Sequence, residues 1–255
     1  MGRWNRANPS RVAARADQSE GGPPALIQPQ LATLVDRPPK GGDWSYEIKF
    51  DGYRVMTRIE GGVATIFTRN GHDWTERMPR LADACNALQV DNAWLDGEAV
   101  VLDSSGQPDF NALQNAFDRR STAEIVMFVF DLLWLNGTDL REQPLRSRRA
   151  LLRDLMAEHT SDAIRFSEDF PQDPVSLVAS ACKMKLEGII GKRADAPYRS
   201  GRSATWVKIK CYLRQEFVVG GFTRARGARG ARARVCIRCC SACTRRMARC
   251  ATPAA

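Results

Sequence analysis

The stretch WSYEIKFDGYR, residues 44–54, decides the fold prediction for this 255-residue chain. Apolar and polar residues alternate on both sides of Asp51 and Gly52, which is the pattern of two strands joined by a tight turn. An Asp-Gly pair is a strong signal for a two-residue hairpin. We therefore predict that Lys49, Asp51 and Arg54 belong to one short hairpin, which would bring an ammonium, a carboxylate and a guanidinium close together.

Hydrophobic periodicity along the rest of the chain predicts further strands and helices. Strands are predicted over residues 44–50, 53–59, 63–69, 93–102, 125–135, 188–192, 206–211 and 216–222, and helices over 79–88, 110–117, 145–159 and 175–186. Strands with helices between them are typical of an α+β domain built of antiparallel sheets with flanking helices. We place the end of this domain near Leu213.

The composition is that of an ordinary globular protein, with 44% hydrophobic and 26% charged residues. No apolar run approaches the roughly 20 residues that span a bilayer, so we expect no membrane partner and a cytoplasmic location. The net charge is +9, but residues 224–255 contain nine arginines and no acidic residue. Without them the chain has 29 basic and 29 acidic residues, so the charge says little about how the body of the protein binds nucleic acid.

The two ends of the chain differ from its body. Residues 1–24 are rich in Pro, Gly, Ser and Arg and are predicted to be a disordered leader. Residues 224–255 combine Arg, Ala, Gly and Cys without any period, and our hypothesis is that they are frameshifted or otherwise non-native. Their clustered cysteines have zinc-knuckle spacing, although an unstructured tail is favoured. The cysteines of the body, Cys85, Cys182 and Cys211, are scattered, which suits a reducing compartment.

Lys49 is the candidate nucleophile. A lysine has a pKa of about 10.4 in water and reacts only when its surroundings tune it. Further polar groups follow at predicted strand ends: TRNG at 68–71, LDGE at 95–98, FVFD at 128–131, EGIIGK at 187–192 and WVKIK at 206–210. Taken singly, each suits core packing or a solvated strand face. Together with Lys49 they predict the lining of a nucleotide-binding cleft.

The order and spacing of these groups resemble the successive motifs of the covalent nucleotidyltransferases, which are DNA ligases, RNA ligases and mRNA capping enzymes. Within that superfamily the chain resembles the ligase domain of bacterial non-homologous end-joining DNA ligases over roughly residues 26–223. The resemblance is carried by LATLVDRPPKGGDWSYEIKFDGYR, TRNGHDW, LDGEAVVLD, FVFDLLWLNGTDLREQPL and EGIIGKRADAPYRSGRSATWVKIKC. It implies an ATP-grasp-like adenylation domain over 25–213, followed at 214–223 by the first strand of a truncated OB-fold.

The resemblance also implies a role for each matched position. Lys49 would attack the α-phosphate of ATP, release pyrophosphate and form a lysine–AMP phosphoramidate. The other positions would bind the nucleotide, with Glu47 and the backbone of Ile48 at the adenine amino group, Phe130 stacked on the purine, Arg54 and Arg69 at the ribose or the phosphates, Glu98 at the ribose hydroxyls or a metal ion, and Lys208 and Lys210 at the α-phosphate. Asp51, Glu98 and Glu187 would supply oxygen ligands to Mg²⁺ or Mn²⁺.

The function that the resemblance implies is ATP-dependent DNA ligation in double-strand-break repair, through lysine–AMP and DNA-adenylate. Nicked or broken double-stranded DNA and the Ku end-binding protein would be its partners, and we expect a monomer associated with the bacterial nucleoid. The basic motif that the family carries late in the OB-fold has no counterpart in this sequence, which puts adenylylation from ATP in question. The alternatives are a non-catalytic nucleic-acid-binding remnant and an RNA ligase or capping-type enzyme.

Overall fold

The computed structural model describes residues 22–159, 161–171 and 173–211, together with the backbone of two short strands beyond them. The chain divides into two compact units, Met1–Cys211 and Tyr212–Ala255. In the second unit the described backbone is Thr223–Arg224, paired antiparallel with Val235–Cys236. The predicted leader up to residue 21, the predicted barrel strand at 216–222 and nearly all of the arginine-rich tail lie outside the described residues.

The described part of the first unit alternates strands with helices along the chain. Its strands are β1 Gln30–Leu34, β2 Trp44–Ile48, β3 Tyr53–Glu60, β4 Val63–Thr68, β5 Asn92–Val101, β6 Ile125–Leu135, β7 Thr138–Asp139, β8 Ile164–Phe166, β9 Gly188–Arg193 and β10 Gly201–Lys210. Its helices are α1 Pro79–Asn86, α2 Phe110–Asp118, α3 Leu145–Ala157 and α4 Pro174–Lys183. Side chains of Asp109 and Asp173 cap the amino ends of α2 and α4, which fixes where these two helices begin.

The strands form two sheets. One has the order β1-β10-β9-β2, and the other has the order β4-β3-β5-β6-β7 with β8 beside β6. Most neighbours are antiparallel, but β1 pairs with β10 and β6 pairs with β8 in parallel. The predicted α+β class with flanking helices is confirmed. The sequence patterns missed the parallel strand β1, because its partner begins about 170 residues later at Gly201 and leaves no local signal.

The predicted hairpin at Asp51-Gly52 is wrong. Strand β2 pairs with β9 in one sheet, whereas β3 pairs with β4 and β5 in the other. The chain therefore crosses between the two sheets at residues 49–52. Gly52 is required here for a different reason, since a Cβ at this position would lie 2.3 Å from the carbonyl oxygen of Ala99.

Within residues 22–211, as far as the structure describes them, the core has three parts, which fix the layers of the first unit. Leu81, Leu113 and Leu152 of helices α1 to α3 pack in one cluster with residues of β3 and β5. A second cluster, which includes Phe130 and Trp206, joins the facing sides of the two sheets. A third places α4 against the outer side of the four-stranded sheet. None of the helices in the described residues is both long enough and apolar enough to cross a membrane.

Candidate functional site

A cleft of about 200 Å³ opens between the two sheets. Most of the predicted site residues line it: Glu47, Ile48, Lys49, Arg54, Arg69, Glu98, Phe130 and Lys208. Asp51, Glu187 and Lys210 are not in the lining. Asp51 and Glu187 interact with the charge of Lys49, and Lys210 pairs with Glu187. The cleft is also lined by Leu31, Ala32, Phe50, Ile190, Lys192, Arg202 and Trp206, to which sequence reasoning gave no role.

Lys49 follows the last residue of β2, where its backbone N–H donates to the carbonyl of Gly188 at 3.0 Å. Its ammonium forms an ion pair with Glu187, and only 18% of its side chain is exposed. Lys210 contacts the other oxygen of the same carboxylate at 2.8 Å. Burial raises the pKa of Glu187, but its hydrogen bonds to Lys210 and Lys49 hold the pKa below its ordinary value. The site thus keeps a carboxylate ionised between two ammonium groups.

Asp51 belongs to the same group of charges. Burial and then the neighbouring carboxylate of Glu187 raise the pKa of Asp51, against the opposing effect of Lys49 and Lys210. Two carboxylates that disfavour each other's charge are a fitting place for a divalent cation, which prefers oxygen ligands and completes its shell with phosphate oxygens.

The three predicted metal ligands do not form a ready-made metal site. The described residues contain no group of three or more acidic, His or Cys side chains arranged to hold a metal ion. The carboxylate of Glu187 forms ion pairs with Lys49 and Lys210, and Glu98 is on β5 opposite Arg54. Asp51 and Glu187 remain the pair that could share a cation with a bound phosphate.

Glu98 titrates far from its ordinary pKa. Burial raises the pKa of this carboxyl to about 7, although the charges of Arg54 and Lys49 oppose the shift. Near neutral pH the group is therefore present in both its protonated and its ionised form. It can donate a hydrogen bond in the first form and accept hydrogen bonds or bind a cation in the second.

Arg54 has a larger structural part than the sequence suggested. Its guanidinium forms a two-bond contact with the fully buried carboxylate of Asp96, with 2.7 Å for the Nη2 bond, and also donates to the carbonyl of Gln30 at 3.2 Å. The hydroxyl of Tyr198 donates to the same carboxylate at 2.7 Å. The face of the guanidinium lies 4.5 Å from the centre of the Phe130 ring. Arg54 therefore fixes the aromatic wall of the cleft.

The inner end of the cleft combines aromatic rings with a buried ion pair. Phe130 and Trp206 meet edge to face, with ring centroids 6.0 Å apart. The ammonium of Lys192 lies 4.1 Å and 4.2 Å from their centres and is paired with Glu47. Lys192 is 1% exposed, and burial lowers its pKa to about 8. Lys192 ends the run EGIIGK, and no role was predicted for it, because a local pattern does not distinguish a buried lysine from a surface one.

The outer end of the cleft is basic. Arg69, Arg202 and Lys208 line it. Burial and then the charges of Lys210, Lys49 and Arg202 lower the pKa of Lys208 below its ordinary value. Cations that lower one another's pKa in this way repel each other. An anionic ligand relieves this repulsion, so the site favours one.

Comparison with known proteins identifies relatives of this arrangement. The family model for the ATP dependent DNA ligase domain matches residues 29–210. The multifunctional non-homologous end joining protein LigD of Pseudomonas aeruginosa is 51% identical over 225 residues, which cover 88% of this chain and 27% of that protein. The crystal structure of the ligase domain of Mycobacterium tuberculosis LigD matches with a TM-score of 0.63 and 35% identity, over 72% of this chain and 60% of that chain.

A mycobacterial DNA ligase D complexed with ATP and MES is similar to the same extent. Its TM-score is 0.64 at 35% identity, over 77% of this chain and 64% of that chain. The chain spans about a quarter of the length of the curated LigD relatives it matches. These matches confirm the predicted nucleotidyltransferase fold and the resemblance to end-joining DNA ligases, and they favour a DNA ligase over a capping enzyme. The chain belongs to the ATP-dependent DNA ligase domain family.

Proposed function

We propose that this chain is the nucleotidyltransferase part of an ATP-dependent DNA ligase that seals nicks through lysine–AMP and DNA-adenylate. The observation that carries the proposal is the position of Lys49. This residue lines the same cleft as the aromatic rings of Phe130 and Trp206, which suit a base, and as the cations Arg69, Arg202 and Lys208, which suit phosphates. A surface lysine on a charged loop would share a cleft with neither the aromatic rings nor the cluster of cations.

The inner end supports recognition of adenine. Glu47 offers a hydrogen-bond acceptor, and the ammonium of Lys192, with at most one of its three donors used by Glu47, offers donors. Adenine presents a donor at its 6-amino group beside an acceptor at N1, which matches this pair. Guanine presents the reverse pattern at the same edge and would leave both protein groups unsatisfied. Phe130 and Trp206 supply the apolar surface that a purine ring needs.

The chemistry at Lys49 follows from its charged neighbours. The nitrogen of Lys49 loses a proton and forms a bond to the α-phosphorus, while the bond to the β-phosphate oxygen breaks and pyrophosphate leaves. Lys208 at the cleft and Lys210 beside Glu187 neutralise negative charge at the phosphate. A divalent cation, when bound, would add Lewis-acid stabilisation of the phosphates, with Asp51 and Glu187 as its protein ligands. Mg²⁺ and Mn²⁺ both suit these oxygens.

The remaining parts of the proposal concern partners and organisation. The AMP would pass to the 5′-phosphate of a DNA nick, and the 3′-hydroxyl would displace it. The names of the LigD relatives support a place in non-homologous end joining. Broken DNA and Ku would then be the partners, and the chain would act as a cytoplasmic, nucleoid-associated monomer. The boundary of the first compact unit at Cys211 supports an adenylation domain over 25–213. The start of an OB-fold at 214–223 rests on the family resemblance alone.

The proposal is tested by covalent labelling. The purified chain is incubated with ATP labelled at the α-phosphate and with Mg²⁺, and is then run on a denaturing gel. We expect a labelled band that disappears in Lys49→Ala and persists in Lys183→Ala, which changes an exposed lysine at the end of α4. A wild-type chain that takes up no label and does not seal a pre-adenylylated nick would contradict the proposal.

A further inference from the structure

Arg149 of α3 is a buried arginine outside the lining of the cleft. Its Nη1 donates to the carboxylate of Glu47 and to the carbonyl of Phe130, both at 3.1 Å. Its Nη2 donates to the carbonyl of Ser167 at 2.7 Å and to the carboxylate of Asp169 at 3.2 Å. One guanidinium thus satisfies four acceptors from three separate segments of the chain.

Two of these acceptors belong to opposite walls of the inner cleft. Glu47 is on β2 of the four-stranded sheet, and Phe130 is on β6 of the six-stranded sheet. Both are bonded by Nη1, whose two N–H directions are fixed by the rigid, planar guanidinium, while Nη2 anchors the group to Ser167 and Asp169. Arg149 therefore sets the carboxylate of Glu47 relative to the backbone that presents the Phe130 ring.

The hold on Glu47 is specific to one of its oxygens. Arg149 and the hydroxyl of Ser167 both donate to Oε2, at 3.1 Å and 3.3 Å. Oε1 is the oxygen that pairs with Lys192 at the cleft. The last torsion of a glutamate is soft, so without these two donors the carboxylate would be held by Lys192 alone and could rotate about that contact. Because Arg149 and Ser167 fix the position of Oε2, they also fix the direction in which Oε1 points.

We propose that Arg149 is a positioning residue that determines which base the cleft selects, by aiming the carboxylate of Glu47 at the 6-amino group of the purine. The inference rests on the proposed function, because it takes Glu47 to be the acceptor for that amino group. Arg149 touches neither nucleotide nor phosphate in this scheme. Its bond to the carbonyl of Phe130 affects all purines alike, so its effect through Glu47 is measured by the ratio of affinities for purines with and without the amino group.

The neighbouring Arg148 provides a matched control. It is also buried on α3, and it makes a two-bond contact with Asp131 at 2.7 Å and 2.8 Å. Its other acceptors are the carbonyls of Gln143 and Ala196. Among the described residues, its hydrogen bonds and its ring contact with Tyr198 involve no side chain that lines the cleft. Replacing either arginine by lysine keeps the charge and removes the fork, so a loss of stability alone affects both variants.

The experiment measures the Kd of two nucleotides by calorimetry. The nucleotides are ATP and purine riboside 5′-triphosphate, which lacks the 6-amino group. A hydrogen bond to a charged acceptor is worth roughly tenfold or more in affinity, so we expect the wild-type chain to prefer ATP by about tenfold. In Arg149→Lys we expect this ratio to fall close to one, through weaker binding of ATP. In Arg148→Lys the ratio stays at the wild-type value.

Ser167→Ala is the second variant, and it decides the question if Arg149→Lys does not fold. It removes the other donor to Oε2, and we expect the ratio to fall about threefold. An unchanged ratio in folded Arg149→Lys, or an equal loss for both nucleotides, overturns the inference. If the wild-type chain shows no preference for ATP, or if Glu47→Gln keeps the wild-type ratio, Glu47 is not the acceptor for the amino group and the inference is overturned. The proposed function fails separately, if the wild-type chain neither takes up label from ATP nor seals a pre-adenylylated nick.

Discussion

The ammonium of Lys49 is ion-paired with the carboxylate of Glu187, although 138 positions separate the two residues along the chain. The register of β2 and β9 explains the contact. Ile48, the last residue of β2, pairs with Ile189, the second residue of β9, in an antiparallel arrangement. The residue after β2 and the residue before β9 therefore meet at the same edge of the sheet. The proposed nucleophile and its carboxylate partner are brought together by backbone pairing, not by the loop that follows the lysine.

Gly188 is the residue on which this register depends. It has a φ of +144°, and a Cβ there would lie 2.0 Å from the carbonyl oxygen of Ile209. We expect Gly188→Ala to lower the free energy of unfolding by about 3 kcal/mol, because backbone strain adds to the steric overlap. Lys49 should also lose its label, since Glu187 moves with the strand. Urea denaturation and α-phosphate labelling check the two effects.

Gly106→Ala is the control for that experiment. Gly106 also has a positive φ, +80°, but no atom lies within 4 Å of the position that its Cβ would take. We expect a loss of only about 1 kcal/mol and unchanged labelling. If both variants lose the same stability, the close approach of β9 to Ile209 is not what requires glycine.

Glu98 makes the stability of the protein depend on pH. Its carboxyl has an ordinary pKa of 4.5 and a pKa of about 7 in the folded chain. Between these values the folded state binds the proton that the unfolded state has released, so this group's contribution to stability falls as the pH rises from 4.5 to 7. Glu98→Gln is uncharged throughout. We therefore expect the melting temperature of Glu98→Gln, relative to wild type, to be higher at pH 8 than at pH 5.

Glu124 is the reference for this titration, since it is an exposed glutamate just before β6. We expect Glu124→Gln to show the same difference from wild type at both pH values. A flat profile for Glu98→Gln as well would show that the Glu98 carboxyl is ionised in the folded chain below pH 5.

Labelling of Lys49 measured over the same range should rise through about pH 7 if the ionised form of Glu98 is needed for nucleotide binding.

Asp131 and Arg148 form a fully buried pair, with both side chains 0% exposed. Removing one partner leaves an uncompensated charge in the core, so we expect Asp131→Leu or Arg148→Met to cost about 3–5 kcal/mol of unfolding free energy each. The double variant should cost much less than the sum, because it buries no lone charge. Urea denaturation of the four proteins gives the coupling. Additive losses would mean that the two charges do not depend on each other.

The sequence predicted what local patterns encode and missed what distant pairing creates. The run at 125–135 was predicted as a strand with the same bounds as β6, since it is apolar throughout and ends at Asn-Gly. Asp51-Gly52 was misread because the same dipeptide serves a hairpin and a crossing between sheets. The local sequence does not distinguish the two cases. Here Gly52 is needed because it packs against the carbonyl of Ala99, which lies far along the chain.

The candidate site shows the same division. Lys49, Glu98 and Phe130 could be predicted as lining residues because they belong to motifs that resemble a known family. Arg149 could not, because only the packing of α3 against both sheets makes it a partner of Glu47. The interpretation of Cys182 and Cys211 as scattered thiols is wrong for a similar reason. The two residues meet only where the end of α4 lies beside the end of β10.

Cys182 and Cys211 form a disulfide across a sequence separation of 29 residues. The closed loop contains both Glu187 and the β10 lysines, and the backbone N–H of Cys211 donates to the carbonyl of Glu187 at 2.9 Å. Because a cross-link of this span restricts the unfolded chain, we expect reduction by a dithiol to lower the free energy of unfolding by about 3–4 kcal/mol. The double variant Cys182→Ser, Cys211→Ser should start at the reduced value and not respond to the dithiol.

Cys85 separates this effect from general thiol chemistry. It is buried, and burial raises its pKa to about 12, so its thiol is protected from exchange. We expect Cys85→Ala to respond to the dithiol as the wild type does, with both proteins losing the same stability in parallel urea titrations. A wild-type chain whose unfolding midpoint is unchanged by reduction would show that the cross-link does not restrain the segment carrying Glu187 and Lys210. The carboxylate would then depend on its two lysine partners alone for its position.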